Sequence, residues 1–364
     1  MAHLFFAGSD ELLIWDGQLD PATPREPIDL TWDDEGVIPW RLGPDTAFLF
    51  QRMTEDTLGA LGAAQGKRVL DVGCGRGIDL ASLADSAAIL MGCDGSKVMV
   101  RKARATLNRR GLCARLVCCS AENLPFRTGT MDVVYCKGAI DHFYDPRKAL
   151  EEMARVLRHD GRLVVSVANF ESLSCRLGRT YNRLWKIFTG RQLPSPHFWE
   201  IPKDHVYRFH KAFLLRCLPR QVKRVDLWGI SLLWGCPGWG ALLRRLPHAA
   251  RAGLLGVLDR VGRAFPSLAD VMVMKARVDK ENGKEGRGTS GIGAGEIMRN
   301  KSWIQGLVIC LGTLLAGILF IIGLLMKSYW ALAIPVAIGF LWLLGLAFWI
   351  GWTLMSIRVE PPKD

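Results

Sequence analysis

The chain has 364 residues, with 47 basic and 35 acidic side chains and a formal net charge of +12. This length leaves room for one large domain and an appendage, and the positive balance suggests an anionic partner, either a membrane surface or nucleic acid. Its ten cysteines form no C-x-x-C pair and have no neighbouring histidines, so neither a zinc site nor a disulfide framework is indicated and a reducing cytoplasm is expected.

The first 44 residues are rich in Pro, Asp and Trp and show no clear periodicity. We expect residues 1–44 to form an extended arm or a lid over a site. From Asp45 to Leu61 the apolar residues recur at helical spacing, which predicts a helix with Asp45 as its cap.

A glycine-rich stretch follows, Val69-Leu-Asp-Val-Gly-Cys-Gly-Arg-Gly-Ile-Asp79. It predicts a short buried strand, then a turn into a helix that begins near Ile78. Glycines allow a ligand to lie against the backbone, and the exposed N–H groups at the helix start favour a polar or anionic ligand. The acid at the strand end, Asp71, would oppose a pyrophosphate but attract an ammonium group. A glycine-rich turn without a ligand is the alternative.

A second acid follows the next predicted strand. Ala87 to Cys93 read as that strand, and Asp94 comes at its end, before Gly95. A carboxylate about 20 residues beyond the glycines can accept hydrogen bonds from both ribose hydroxyls of a nucleoside. Taken alone, Asp94 could equally be the N-cap of a helix.

The strands and helices alternate along this half of the chain. Strands are predicted at 68–72, 89–93, 114–118, 131–136 and 162–168, and helices at 78–85, 96–110 and 146–157. This order predicts an α/β fold with a mostly parallel sheet and helices on both faces. Ligands of such sheets bind outside the carboxyl ends of the strands. One pocket could therefore collect Asp71, Asp94, Ser120 and Lys137.

Residues 66–168 resemble the class I S-adenosylmethionine-dependent methyltransferases, in the group that contains the ubiquinone and menaquinone C-methyltransferases. The resemblance is carried by Val69–Gly77, Met91–Ser96, Ser120–Phe126, Met131–Cys136, Ala149–Leu157 and Gly161–Val165. It implies a Rossmann-like fold and S-adenosylmethionine as the cofactor. The residues expected to bind it are Asp71, Gly73, Cys74, Gly75, Gly77, Asp94, Gly95, Ser120, Ala121, Glu122 and Lys137.

The chain departs from this family at Ser120, where an aspartate usually contacts the adenine amino group. A serine hydroxyl can still accept that bond, so we expect weaker or rearranged adenine recognition. Alternatively, Ser120 is only a turn residue.

The loop Lys137–Tyr144 carries the candidate catalytic residues Asp141 and His142. Methyl transfer depends on positioning, and transfer to oxygen or an acidic carbon also benefits from a base of near-neutral pKa. In the family this loop often only shapes the methionine end of the cofactor, and His142 could instead cap a helix or pack. Further along, His205, Tyr207 and His210 are more readily explained as structural residues.

The rest of the domain, which we place at 45–278, adds a helix at Lys211–Leu218 and strands at Val222–Leu227 and Ser267–Lys275. Within it, residues 169–265 are expected to form an insertion that faces the acceptor or a membrane. Two stretches, 172–191 and 237–265, combine Leu, Trp or Phe at helical spacing with interleaved arginines. Basic amphipathic helices suit an anionic membrane surface, although ordinary core faces with a solvated basic side give the same pattern.

Residues 279–297 contain Lys, Glu, Gly, Ser and Thr but almost no large apolar groups, which predicts a flexible linker. The segment 298–358 contains two apolar runs, Ile304–Met326 and Trp330–Met355, each long enough to span a bilayer, joined by Lys327-Ser-Tyr329. These runs predict a transmembrane helical hairpin. Basic residues flank both outer ends, so the positive-inside rule predicts a multi-pass membrane protein whose catalytic domain is cytoplasmic.

Three functions are compatible with this pattern. The first is a membrane-anchored methyltransferase that acts on a lipid or another hydrophobic small molecule at the cytoplasmic face, without a metal. The second is a nucleic-acid methyltransferase, which the sequence does not favour because the basic residues lie on amphipathic helices and not in an aromatic stacking platform. The third is a non-catalytic, cofactor-binding membrane scaffold.

Overall fold

The computed structural model describes residues 13–14, 31–35, 42–84, 89–191, 193, 197–200, 205–279 and 339. The chain divides into two units, Met1–Lys284 and Glu285–Asp364. Within the described residues, no helix combines the length and apolar character needed to cross a membrane. Apart from Asp279 and Gly339, the predicted linker and hairpin lie outside the described residues, and both stay predictions.

Eight helices and eight strands make up the described part of the first unit. The helices are α1 (Pro44–Leu61), α2 (Ile78–Leu83), α3 (Lys97–Arg109), α4 (Pro146–Val156), α5 (Leu173–Thr189), α6 (Lys211–Cys217), α7 (Trp239–Arg245) and α8 (His248–Ala264). The strands are β1 (Leu13–Ile14), β2 (Arg68–Val72), β3 (Ile89–Asp94), β4 (Arg115–Cys118), β5 (Met131–Lys137), β6 (Leu157–Ala168), β7 (Val222–Ile230) and β8 (Val271–Val278).

The strands form one sheet in the order β1-β4-β3-β2-β5-β6-β8-β7. All pairs from β1 to β6 are parallel, while β8 runs antiparallel between β6 and β7. The predicted mostly parallel α/β fold is thus confirmed. It follows from strands such as β2, in which Val69 and Leu70 are fully buried on opposite faces, because helices cover both sides of a parallel sheet.

Some details of the predicted elements were wrong, including the start of β6, which lies at Leu157 and not at residue 162. Helix α1 has Gly43 at its N-cap and Pro44 in its first turn, so Asp45 lies inside the helix and does not cap it. The Asp45 carboxylate is buried and accepts a hydrogen bond from the Gly235 N–H at 3.4 Å. Strand β8 begins at Val271, four residues later than expected, because the residues before it form turns.

The two predicted amphipathic stretches have different surroundings. In the second stretch, Leu243 of α7 and Leu255 of α8 are buried, and Gly262 of α8 lies directly against the backbone of Ser231. These contacts favour a core face for the stretch 237–265. In the first stretch only the beginning of α5 is buried, and all residues from Arg183 to Gly190 are exposed.

Candidate active site

The glycine loop leaves β2 with three successive left-handed glycines. Gly73, Gly75 and Gly77 have φ angles of +77°, +50° and +70°, a region that costs other residues energy. A Cβ atom at Gly73 would collide with Ala139, and one at Gly77 would lie 3.0 Å from the Ala103 Cβ. At Gly75 the nearest atom is 3.8 Å away, so this residue alone presents an open backbone surface on which a ligand can lie.

The neighbouring strand holds this loop in place through its last two residues. The Gly73 and Cys74 N–H groups donate to the Cys93 carbonyl at 2.8 and 2.9 Å, and Cys74 is buried. The Gly75 N–H donates to Asp94 Oδ2 at 3.0 Å. The loop therefore has its shape before any ligand binds.

Asp94 ends β3, and each of its oxygens accepts one backbone hydrogen bond. Besides Gly75, the Ser96 N–H donates at 2.9 Å to Oδ1, across Gly95. The alternative that Asp94 caps a helix was wrong, because the Ser96 side chain caps α3. Burial raises the pKa of Asp94, against the effect of these two N–H donors. A carboxylate oxygen accepts more than one hydrogen bond, so both oxygens can still accept ribose hydroxyls, as the predicted cofactor requires.

Asp71 and Lys137, two of the predicted cofactor-binding residues, have polar neighbours within the domain. Asp71 is only 2% exposed, in the body of β2. Its pKa is raised well above the usual value, first by burial and then by the Asp79 carboxylate, while the Tyr135 hydroxyl lowers it. The Lys137 ammonium donates to Asp79 and to the Thr54 hydroxyl, both at 2.8 Å. Contact of Asp71 and Lys137 with the cofactor stays a prediction.

The turn after β4 contains the predicted adenine-side residues. The Ser120 hydroxyl accepts the Glu122 N–H at 3.1 Å and donates to the Glu122 carboxylate, whose other oxygen accepts the Asp145 N–H at 3.1 Å. Ala121 between them is buried. These bonds agree with the interpretation of Ser120 as a turn residue, and an adenine contact by this turn stays a prediction.

A segment of the N-terminal arm, residues 31–35, lies across the glycine loop and α3. The Trp32 carbonyl accepts the Ser96 hydroxyl at 2.6 Å. Asp34 pairs with both Arg76 and Lys102. Burial alone would raise the pKa of Asp34, but the hydrogen bonds from Arg76 and Lys102 lower it to about 2. The acidic run from Asp33 to Glu35 is visible in the sequence, but the sequence does not reveal that its basic partners are Arg76 and Lys102.

The loop after β5 brings together three polar side chains. Its short 3-10 turn, Ile140–His142, buries Asp141 to 2% exposure. Asp141 Oδ2 lies 3.2 Å from His205 Nδ1, and the Asp141 carbonyl accepts the Val206 N–H at 2.9 Å. The His142 and His205 rings meet edge to face, 4.3 Å apart. Sequence reasoning had paired Asp141 with His142 and had treated His205 as structural.

The other polar residues near His205 have local roles. The Tyr207 hydroxyl donates to the Tyr144 carbonyl at 2.9 Å, and His210 Nδ1 lies 3.4 Å from the Arg208 carbonyl oxygen. The helix α4 is capped by Asp145, so His142 is not its cap.

The cluster of Asp141, His142 and His205 has two chemical uses. An imidazole beside a buried carboxylate can accept a proton, since the carboxylate stabilises the resulting imidazolium. The three residues also offer one ligand atom each within 4.8 Å of one another, and among the described residues no other group has this geometry for a metal ion.

The similarity to known proteins lies in the part of the chain that runs from β2 into β6. Residues 70–165 match the family described as "Methyltransferase domain". An uncharacterized methyltransferase of Bacillus subtilis, YcgJ, is 37% identical over 99 residues, which are 27% of this chain and 39% of that protein. The demethylmenaquinone methyltransferase of Beutenbergia cavernae is 39% identical over 110 residues, 30% of this chain and 44% of the relative.

The crystal structure of YcgJ from Bacillus subtilis covers 63% of this chain and 99% of its own, at 20% identity and a TM-score of 0.43. The present chain spans less than half of the length of the curated relatives that it matches. Both relatives are methyltransferases by name, and the family match over residues 70–165 includes Asp71, the glycine loop and Asp94. Over residues 70–165 the chain is thus similar to methyltransferase domains, which supports S-adenosylmethionine as its cofactor.

Proposed function

We propose that this protein transfers the methyl group of S-adenosylmethionine to a hydrophobic small-molecule acceptor, most simply a lipid, at the cytoplasmic face of a membrane. The observation that carries the proposal is the pairing of His205 with the buried Asp141, next to His142. This cluster follows the carboxyl end of β5, the same sheet edge at which β2 and β3 present Gly75 and Asp94. A base and a cofactor site therefore share one edge.

The cofactor supplies an electrophilic methyl group when it is bound. The open backbone of Gly75 and the carboxylate of Asp94 would hold its nucleoside, and Asp71 of β2 would favour its ammonium end. His205 would take the proton of the acceptor at Nε2, while Asp141 stabilises the positive charge from the Nδ1 side. His142 packs against the His205 ring and would fix its orientation.

The surroundings of the two imidazoles favour an apolar acceptor. The Trp32 ring lies 5.5 Å from the His142 ring, and the Phe170 ring lies 5.9 Å from the His205 ring. Aromatic rings on both sides of a polar pair suit a flat or chain-like hydrophobic molecule with one reactive polar atom. One relative is by name a demethylmenaquinone methyltransferase, which supports a membrane-soluble acceptor.

Membrane attachment is the second part of the proposal and rests on the sequence. The two apolar runs of 298–358 would anchor the protein, and their flanking basic residues would keep the domain in the cytoplasm. Anchoring raises the effective concentration of an acceptor that resides in the same membrane. Since the proposed acceptor resides in the membrane, we expect no nucleic-acid partner.

The test is methyl transfer from labelled S-adenosylmethionine by the full chain, offered a total lipid extract and total RNA in parallel. We expect label in the lipid fraction, none in RNA, and none with an Asp94→Ala variant. Label in RNA would favour the nucleic-acid alternative, and cofactor binding without any transfer would favour a scaffold.

A metal requirement is tested in the same assay. We propose that transfer is metal-independent, since the Asp141 carboxylate already pairs with His205. Excess chelator should leave the rate unchanged. A rate that falls on chelation and returns with one added divalent ion would show instead that Asp141, His142 and His205 hold a metal.

A further inference from the structure

We propose that the second half of α5 inserts into the headgroup region of an anionic membrane and docks the domain there, independently of any transmembrane anchor. This half, residues 183–190, is here called the α5 tip.

The beginning of α5 with its cap, residues 172–178 and here called the root, is firmly bound to the domain. The Ser172 hydroxyl caps the helix by accepting the Cys175 N–H at 3.2 Å, and the Ser174 hydroxyl donates to the buried carboxylate of Asp270. Gly178 lies so close to the Trp199 ring that a Cβ atom would collide with it. The helix is therefore fixed at its start and can present its end rigidly.

The α5 tip carries more exposed apolar surface than a helix in water normally shows. Phe188 is 82% exposed and Ile187 is 67% exposed, and Leu184 and Trp185 are exposed as well. One and two turns before Leu184, the exposed side chains of Tyr181 and Leu177 continue the same face. Contiguous apolar patches on a soluble surface mark interaction sites.

The charges of α5 are all of one sign. The helix contains Arg176, Arg179, Arg183 and Lys186 and no acidic residue. Glu171, before the helix, pairs with Arg176 and Arg179 near the root. Within the described part of the chain, no acidic side chain forms an ion pair with Arg183 or Lys186. The tip thus combines apolar side chains with cations that face solvent.

The combination of apolar side chains and cations indicates which partner binds the α5 tip. A second copy of the chain would bring the same cations against the tip, and like charges oppose such contact. The apolar runs of 304–326 and 330–355 contain no acidic residue that could match Arg183 and Lys186. An anionic bilayer supplies both an apolar layer for Phe188 and negative headgroups for the cations, as interfacial amphipathic helices require.

The position of α5 also connects the membrane to the site. Phe170, three residues before the helix, packs on His205, so the helix leads away from the proposed catalytic imidazole. An acceptor dissolved in the bilayer would therefore reach His205 along the root of α5. This last step rests on the proposed function, whereas the docking of the tip does not.

The test places a photoreactive diazirine amino acid at Phe188 of the full chain, reconstituted into vesicles of phosphatidylcholine alone or mixed equally with phosphatidylglycerol. We expect lipid adducts at position 188, several-fold more abundant in the anionic vesicles and reduced by high salt. The same probe at Val257, an exposed apolar position on α8, is the matched control and should give few lipid adducts.

Two other occupants would give different products. Crosslinks between two copies of the chain, or within one chain to the 304–355 segment, in place of lipid adducts would overturn the proposal. An Arg183→Glu and Lys186→Glu double variant should lose most adducts at position 188 while its calorimetric affinity for S-adenosylmethionine stays unchanged. Because adducts are counted without any methyl transfer, failure of docking and failure of the proposed function are distinguishable.

Discussion

The Asp141 carboxylate lies 3.2 Å from Nδ1 of His205 and joins the loop after β5 to the segment before α6. Asp141 is buried and its carboxylate faces His205, so Asp141 is poorly placed to act on a substrate itself. The residue in contact with an acceptor would be His205, and Asp141 would be its positioning residue. This division of roles leads to the first two predictions.

Replacement of His205 by glutamine should lower kcat by about 10²–10⁴-fold, because glutamine fills similar space but accepts no proton. Cofactor affinity should stay unchanged, since Asp94 and Gly75 are untouched. Steady-state transfer assays and calorimetry measure the two quantities. The His210→Gln variant is the matched control, because the half-buried His210 contacts the Arg208 carbonyl oxygen and the Phe213 ring. Unchanged kcat in the His205 variant would refute the base assignment.

Replacement of Asp141 by asparagine should move the acid limb of the kcat/KM profile to lower pH. The carboxylate stabilises the imidazolium form of His205, and its removal makes that histidine a weaker base. A purely structural role of Asp141 would reduce activity at every pH without moving the limb. The pH profiles of the wild type and the variant, recorded with the same acceptor, separate these outcomes.

Much of the fold was predictable because its signals are local. Runs such as Val69–Val72 are apolar except for Asp71 because both faces of a parallel strand are buried, and the three glycines mark a turn that side chains would block. The predicted strands and helices therefore lie within a few residues of the observed ones along most of the described domain. Asp94 could be placed at a strand end for the same reason.

What could not be predicted depends on residues distant in the chain. The pattern of α5 and that of α7 and α8 are similar, and only the contacts of Leu243, Leu255 and Gly262 distinguish a core face from an exposed one. The pairing of His205 with Asp141 depends on how the segment before α6 returns to the loop after β5. The burial of Asp71 has the same origin, since its partner across the sheet is Tyr135 of β5.

The orientation of the predicted hairpin can be tested with single cysteines. Basic residues lie at both outer ends of 298–358, while only Lys327 lies in the turn, so the turn should face the opposite compartment. A membrane-impermeant maleimide added from outside should label Ser328→Cys and should not label Arg358→Cys in intact cells. The reverse pattern would place the domain on the side without cofactor and would contradict the proposed localisation.

Replacement of Gly75 should lower cofactor affinity more than it lowers the stability of the fold. A Gly75→Ala variant would bear the cost of a left-handed alanine, roughly 1–2 kcal/mol, but no clash, because no atom lies closer than 3.8 Å to its Cβ. The methyl group would instead occupy the open surface that the cofactor needs, and we expect affinity to fall by at least roughly tenfold. The matched control is Gly111→Ala, which has a φ of +66° and an open surrounding far from the loop.

Both glycine variants should lose similar stability, and only the Gly75 variant should lose cofactor affinity. Thermal unfolding measures the first quantity and calorimetry the second. Equal affinities in the two variants would mean that the cofactor does not lie on Gly75.

Asp270 at the start of β8 should make the domain less stable as the pH rises. Burial raises its pKa from 3.8 to about 7, although the Ser174 hydroxyl and the Trp234 N–H, at 3.0 Å, stabilise the charged form. The native carboxyl therefore keeps its proton up to about pH 7, while the unfolded chain loses it near its ordinary pKa. Because the native state binds more protons in this window, stability falls from about pH 4 to about pH 7 and is then constant.

The size of this effect follows from the pKa shift. Between about pH 5 and about pH 8 the contribution of Asp270 to the free energy of unfolding should decrease by roughly 2–3 kcal/mol. An Asp270→Asn variant cannot ionise, so it should lack this part of the pH dependence, as urea titrations at the two pH values would show. The exposed Asp226→Asn variant is the matched control and should follow the wild type. If the Asp270 variant follows the wild type as well, another group causes the slope, and the contact between Asp270 and the root of α5 is not pH-sensitive.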